Sequence, residues 1–252
     1  MSTNSPMPLY PVALRLEGRN CLVVGGGPVG ARKIEALLAC GAIVTVVAPQ
    51  VDRRIVEMER TRADHITAGA GPAGTPPSGE LTVERRCYSS GEAARYQLVI
   101  AATGDPEVDQ AVSEDCEAAG VWVNSVDGPE LCSFFVPAVH RSGPVVVAVS
   151  TGGASPSLAG WIRDELRSCV GPEYAAVAGL LARAREELRE QGRPTASIDW
   201  KALLALDLAA ILRNDGQAAA REAVRSWLLE QGSGAKSSSP ASQQPDGREL
   251  QS

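Results

Sequence analysis

The feature that most restricts this chain is a strand-like run that ends in glycines. Cys21-Leu22-Val23-Val24 is apolar and partly β-branched, stops at Gly25-Gly26-Gly27, and gives way through Pro28-Val29-Gly30 to a helical pattern. In that pattern Val29, Ile34, Leu37 and Leu38 share a face before Gly41. The spacing Gly25-x-Gly27-x-x-Gly30 is that of the dinucleotide fingerprint, and it lies between a strand and a helix, the context that gives the fingerprint meaning. Each position answers a separate demand. The first glycine permits a tight turn, the second lets the main chain approach a pyrophosphate, and the third lets the helix lie close to the strand. The phosphates are then expected on the unsatisfied N–H groups and positive end of the helix that follows. Gly25, Gly27 and Gly30 are therefore candidate cofactor residues.

Downstream, strands and helices alternate. Ala42-Ile43-Val44-Thr45-Val46-Val47-Ala48 reads as a second strand, apolar throughout as expected of a parallel sheet covered on both faces. A dinucleotide enzyme commonly offers an acid to the ribose at the end of this strand. Here the chain offers Pro49-Gln50, so the strand end leaves the choice between NAD and NADP open, with Arg53 and Arg54 nearby. Residues 51–62 have a helical pattern, and residues 68–79, rich in Gly, Pro and Ala, read as a flexible surface insertion with His65 on the loop at its edge. Leu81-Thr82-Val83-Glu84-Arg85-Arg86 and Gln97-Leu98-Val99-Ile100-Ala101-Ala102-Thr103 read as the next two strands. Asp105 caps a helix that begins near Pro106 and turns Val108, Val112 and Cys116 inward. Val121-Trp122-Val123-Asn124 makes a fifth strand, with Ser125-Val126-Asp127 just past its end. Ligands of open parallel sheets bind outside the carboxyl ends of the strands, so the loops at Gly25, Thr103 and Asp127 are expected to face one cleft.

The totals exclude some functions. A net charge of −6 and 4% aromatic residues argue against a nucleic-acid binder, although residues 1–62 hold eight Lys/Arg against five Asp/Glu. No apolar stretch is long enough for a membrane span, and residues 1–7 lack the pattern of a signal peptide. The six cysteines form neither a C-x-x-C pair nor a cluster with the two histidines, which points to buried thiols in a reducing cytoplasm and to no metal site.

Five stretches in this order carry a family resemblance. They are Gly25-Gly26-Gly27-Pro28-Val29-Gly30-Ala31-Arg32-Lys33, Ala101-Ala102-Thr103, Val123-Asn124-Ser125-Val126-Asp127, Ser133-Phe134-Phe135-Val136-Pro137-Ala138, and Val149-Ser150-Thr151-Gly152-Gly153-Ala154-Ser155-Pro156-Ser157-Leu158-Ala159. Together they resemble the precorrin-2 dehydrogenase / sirohydrochlorin ferrochelatase family, including the amino-terminal part of siroheme synthase. The resemblance implies NAD-dependent oxidation of precorrin-2 to sirohydrochlorin and, in some members, insertion of ferrous iron. It further implies a homodimer, Asp127 as the key carboxylate, and NAD contacts at Gly27, Pro28, Val29, Pro49 and Gln50. Thr103, at the end of its strand, joins the cofactor set.

Oxidation of a reduced tetrapyrrole needs a base for a proton, and a carboxylate at the mouth of the cleft supplies one. The same carboxylate could take pyrrole protons or steer the cation during iron insertion, with the macrocycle nitrogens as the iron's ligands. The substrate's own carboxylates call for cations, for which Arg141, Arg163 and Arg167 are candidates, with Arg32 and Lys33 nearer the cofactor. Ser150, Thr151, Gly152 and Gly153 form a second loop whose main-chain N–H groups could hold a carboxylate. The bare residues also allow an NAD-sensing module without catalysis, or a reductase for another acidic substrate.

The expected architecture is α/β. A Rossmann-like parallel-sheet domain spans residues 1–136, and a dimerisation region spans 137–170 around the apolar strand Val145-Val146-Val147-Ala148-Val149. A helical domain follows over 171–231, with helices at 174–191, 199–214 and 217–231, then a disordered tail over 232–252. No methyltransferase portion is expected after that tail.

Overall fold

In the computed structural model, residues 8–68 and 79–234 are described, and they form two compact units. The first unit comprises the chain up to Pro137 together with Thr151–Ser155. Its strands are β1 (Asn20–Val24), β2 (Ile43–Val47), β3 (Leu81–Glu84), β4 (Leu98–Ala101) and β5 (Trp122–Ser125). All neighbouring strands run parallel, in the order β3-β2-β1-β4-β5. The helices are α1 (Pro28–Leu38), α2 (Arg53–Ala68) and α3 (Pro106–Ala119).

The unbroken apolar strands follow from burial on both faces. On one face Cys21 and Val23 of β1, Val44 and Val46 of β2 and Ile100 of β4 pack with Ile34 and Leu38 of α1 and Ile55 of α2. On the other, Leu22, Val24, Val99, Ala101 and Val123 pack with Val112 and Cys116 of α3. Register aligns the strand ends: Val24 pairs with Val47 and Ala101, Val47 with Glu84, and Ala101 with Ser125. The loops after all five strands therefore leave the sheet from one row.

Several local expectations are corrected. Helix α2 runs through residues 63–68, so His65 is helical and not on a loop. Of the expected insertion, residues 69–78 lie outside the described residues, and Gly79 belongs to the framework: a Cβ there would stand 2.1 Å from the Ala42 carbonyl oxygen. Asp105 caps α3 as expected, its carboxylate accepting from the Glu107 amide at 3.0 Å.

The second unit holds Ala138–Ser150 and the chain from Pro156 on. Strands β6 (Ala138–Ser142) and β7 (Val145–Val149) form an antiparallel hairpin, and α4 (Pro156–Cys169) packs on it. His140 Nε2 lies 2.9 Å from the Val170 carbonyl and the Ser142 hydroxyl donates to the Gly171 carbonyl, so the hairpin is tied to the end of α4. Then come α5 (Pro172–Glu190), α6 (Trp200–Leu204), α7 (Leu208–Asn214) and α8 (Gly216–Gly234), around a core of Val177, Leu188, Leu203, Leu208 and Leu228. The single helix expected over 199–214 is thus two. The backbone turns left-handed at Asp207 (φ 49°), whose carboxylate caps the Ala210 amide, and this ends one helix and starts another. Helix α8 also extends past residue 231 into the expected tail, of which residues 235–252 are outside the described set. No helix among the described residues is long and apolar enough to cross a membrane.

Candidate active site

The loop between β1 and α1 is locked by its own backbone. Gly25 has φ 114°, and a Cβ on it would meet the Ala102 carbonyl oxygen at 2.1 Å. Its amide donates to the Val47 carbonyl, and the Gly26 carbonyl accepts from the Asp52 amide at 2.7 Å. A Cβ on Gly26 would stand 2.2 Å from the Gln50 carbonyl oxygen, and one on Gly30 would stand 2.5 Å from that of Gly25. The close approach at Gly30 is thus to the loop itself, with Val23 of the strand farther away at 3.9 Å.

Gly27 differs. It has an ordinary φ of −76° and nothing within 4 Å of its would-be Cβ. The fold does not require glycine there, whereas a ligand approaching the main chain would. Helix α1 starts immediately after it, with Pro28 in the first turn, no side-chain cap and no acidic residue to oppose the positive helix end. These residues fit a dinucleotide whose pyrophosphate lies on the start of α1.

Past β2, Pro49 and Gln50 are exposed. Of the two arginines that follow, Arg53 pairs with Glu57 at 2.8 Å. Arg54 donates to the Pro28 carbonyl at 3.1 Å and to the Asp52 carboxylate at 3.2 Å. The Arg54 main-chain amide and then its guanidinium hold the Asp52 carboxyl below the usual aspartate range. Arg54 therefore braces the first turn of α1.

Asp127 is exposed on the bend after β5. Since β5 is two strands from β1 and ends on the same row, strand spacing puts the two loops about 10 Å apart across the sheet edge. Between them, after β4, the Thr103 hydroxyl donates to Asp109 Oδ1 at 2.6 Å and accepts from the Asp105 amide at 3.0 Å. That hydroxyl is committed inside the protein, which leaves the Thr103 main chain for a ligand.

Two side chains that hold this edge were not singled out from the sequence. Asp109, 3% exposed, reaches Ser125 as well as Thr103. Cys132 Sγ accepts from the Ser125 amide at 3.2 Å and the Asn124 side-chain amide at 3.4 Å. Burial pushes the Cys132 thiol up, which keeps its single proton for the Ser125 carbonyl at 3.2 Å or the Gly128 carbonyl at 3.4 Å. The half-buried Lys33 of α1 is held below the usual lysine value, first by burial and then by Arg32. Among the described residues no carboxylate pairs with it. An acid in the first turn of α3 was the one sequence signal for Asp109, and it reads equally as an ordinary dipole partner.

The structure brings Gly25, Gly27, Pro28, Val29, Gly30, Pro49, Gln50, Thr103 and Asp127 to one sheet edge within the first unit. In the loop that groups with this unit, Gly152 and Gly153 have φ of 62° and 85°. The Thr151 hydroxyl there donates to the Ser155 carbonyl and accepts from its amide. Ser150, Arg141 and Arg163 belong to the second unit. Ser150 and Arg141 are exposed, and Arg163 forks onto Asp164 at 3.0 and 2.8 Å.

A family model described as putative NAD(P)-binding matches residues 12–138, and one described as the central part of sirohaem biosynthesis proteins matches residues 143–168. Siroheme synthase of Methylococcus capsulatus is 38% identical over 184 residues, which are 73% of this chain and 35% of that protein. Siroheme synthase of Thioalkalivibrio sulfidiphilus is 33% identical over 225 residues, 88% of this chain and 42% of that protein. The matches thus span 35–42% of the length of these curated relatives. The solved structure of the precorrin-2 dehydrogenase SirC superposes with a TM-score of 0.60 at 26% identity, covering 89% of this chain and 100% of that one.

Proposed function

We infer, from the premise that this chain belongs to the putative NAD(P)-binding family, that it oxidises precorrin-2 to sirohydrochlorin with NAD as the acceptor. The observation that carries this reading is the row of strand ends, where an uncapped helix start behind Gly27 and an exposed carboxylate, Asp127, stand two strands apart. The relatives named for siroheme synthesis and precorrin-2 dehydrogenation support the substrate.

Bound NAD supplies a hydride acceptor. The chain does the remainder. Gly27, Val29 and the first turn of α1 would hold the pyrophosphate of NAD, and Pro49 and Gln50 its adenosine part. As a C–H bond of the macrocycle gives up its electron pair with hydrogen, Asp127 takes the proton released from the ring system, and a new double bond forms. Within the first unit Lys33 is the cation for the substrate's carboxylates, and the main chain of Thr151, Gly152 and Gly153 is a further anion holder. The protein works as a homodimer, with the edge of β7 and its exposed Val146 as the surface to be paired, and in a reducing cytoplasm that keeps its cysteines free. Ferrous iron is a candidate second substrate, bound by the nitrogens of the product macrocycle while Asp127 accepts their protons.

The test is NADH formation by the purified protein with precorrin-2, with NADP in parallel. Turnover with NAD is expected, and Asp127→Ala is expected to lower kcat at least about tenfold while NAD affinity stays within about twofold. Wild-type protein that binds NAD and gives no turnover would overturn the reading.

A further inference from the structure

Asp109 is nearly sealed from solvent, yet among the described residues no cation pairs with it. A buried carboxylate is costly unless its oxygens are satisfied, and here neutral donors satisfy them. Oδ1 accepts from the Thr103 hydroxyl at 2.6 Å and from the Thr103 amide at 3.4 Å, while Oδ2 accepts from the Ser125 hydroxyl at 3.5 Å. A carboxylate can only accept, so the hydroxyls donate inward to it; for Thr103 the 2.6 Å bond to Oδ1 is shorter than the 3.1 Å approach to its other acceptor, the Asp105 carbonyl. Their lone pairs are then turned outward, each toward the main chain of its own loop. Thr103 Oγ1 accepts from the Asp105 amide at 3.0 Å, and Ser125 Oγ accepts from the Gly128 amide at 3.2 Å. The hydrogen bonds thus run from the Asp105 amide through Thr103 to Asp109, and from the Gly128 amide through Ser125 to the same carboxylate. Asp127 lies between Ser125 and Gly128, inside the turn that the second branch closes.

We propose that Asp109 is a positioning residue: it clasps the loop after β4 to the loop after β5 and so fixes the turn that carries Asp127. This deepens, and rests on, the reading of Asp127 as the base. The main chain alone joins the two loops through one bond, Val126 amide to Ala101 carbonyl at 2.9 Å, and nothing in that bond sets the direction of the residues beyond it. The clasp supplies the direction. The clasp needs a side chain with two polar branches at this position, on the first turn of α3, one for each hydroxyl; an apolar side chain leaves both without their inward partner.

Two measurements test this on the whole chain. The first is amide hydrogen exchange in segments 102–105 and 125–128 of wild type, Asp109→Ala, Asp109→Asn and Ser125→Ala. In Asp109→Ala, exchange should rise about tenfold or more in both segments. In Asp109→Asn the side-chain oxygen still accepts from Thr103 and the amide group can reach Ser125, so the rise should stay below about threefold. Ser125→Ala should loosen segment 125–128 alone. Unchanged exchange at Gly128 in Asp109→Ala overturns the clasp. The second measurement is kinetic. Asp109→Ala should lower kcat about tenfold, with the KM for precorrin-2 and the affinity for NAD within about threefold, and Asp109→Asn should restore most of it. A lower melting temperature with unchanged kcat per folded molecule would make Asp109 merely structural and overturn the proposal. Wild-type protein without turnover would fail the reading of function, while the exchange measurement still decides the clasp.

Discussion

The loop after β1 and the loops after β4 and β5 leave the sheet from the same row of strand ends, and they are held by opposite means. Around Gly25 the main chain is held by main chain: the Gly25 amide bonds to Val47, the Gly26 carbonyl to Asp52, and three glycines are required because carbonyl oxygens stand where a Cβ would be. At Thr103 and Ser125 the backbone is ordinary, and side chains from α3 and from the segment after Asp127 do the holding. The first arrangement leaves no freedom and presents bare N–H groups, which suits a rigid phosphate. The second can be tuned one side chain at a time, which suits a loop that must aim a base.

The sharpest break of this comparison is Gly25→Ala. With φ at 114° and a carbonyl oxygen 2.1 Å away, the added methyl is expected to cost about 3 kcal/mol or more and to abolish NAD binding, as read by denaturant unfolding and ligand titration. Near-normal stability would mean that the loop is not locked by its backbone. Gly27→Ala separates binding from folding at the next residue but one. Its space is open, so stability should shift by less than about 1 kcal/mol, whereas NAD affinity should fall about tenfold or more. An unchanged affinity would remove Gly27 from the cofactor site.

On the side-chain-held loops the effects should be smaller. Cys132→Ala leaves the Ser125 amide without its acceptor, while Asn124 keeps a second bond to the Phe134 carbonyl, and the expected loss is about 1 kcal/mol. Cys132→Ser should recover part of it, and equal stability of all three proteins would contradict the assignment. The smallest effect is in pH. In the polar segment before β4 the Gly91 amide and then the Tyr88 hydroxyl hold the Asp115 carboxyl below the usual aspartate range, and Arg86 does the same for Glu92. Folded values below the unfolded ones mean stability that is fully present above the ordinary carboxylate range and lost as pH falls through the folded values. Unfolding free energy should therefore decline below about pH 4, and Asp115→Asn should flatten part of that decline.

What could be read in advance follows the same division. The strand, glycine turn and helix at Cys21 to Leu38 were legible because a few adjacent residues contain their own explanation, as does Asp105 in front of Pro106. Gly26 was not, because the obstacle to its side chain is Gln50, brought in from the next strand. Nor was the break between α6 and α7, since both halves have good helix formers and the interruption rests on one left-handed aspartate. Asp109 reads as an ordinary first-turn acid until α3 is laid against the ends of β4 and β5.

The linear order of residues by itself determined the alternation of strands and helices, the glycine turn and the acid at the fifth strand end, because periodicity, turn chemistry and caps act over a few neighbours. The tertiary structure alone decided which strand ends share a row, which hydroxyls are spent inside the protein and where the acceptors for buried donors come from. Those depend on burial and on partners distant along the chain, and a buried polar group acquires its meaning from the atoms packed around it.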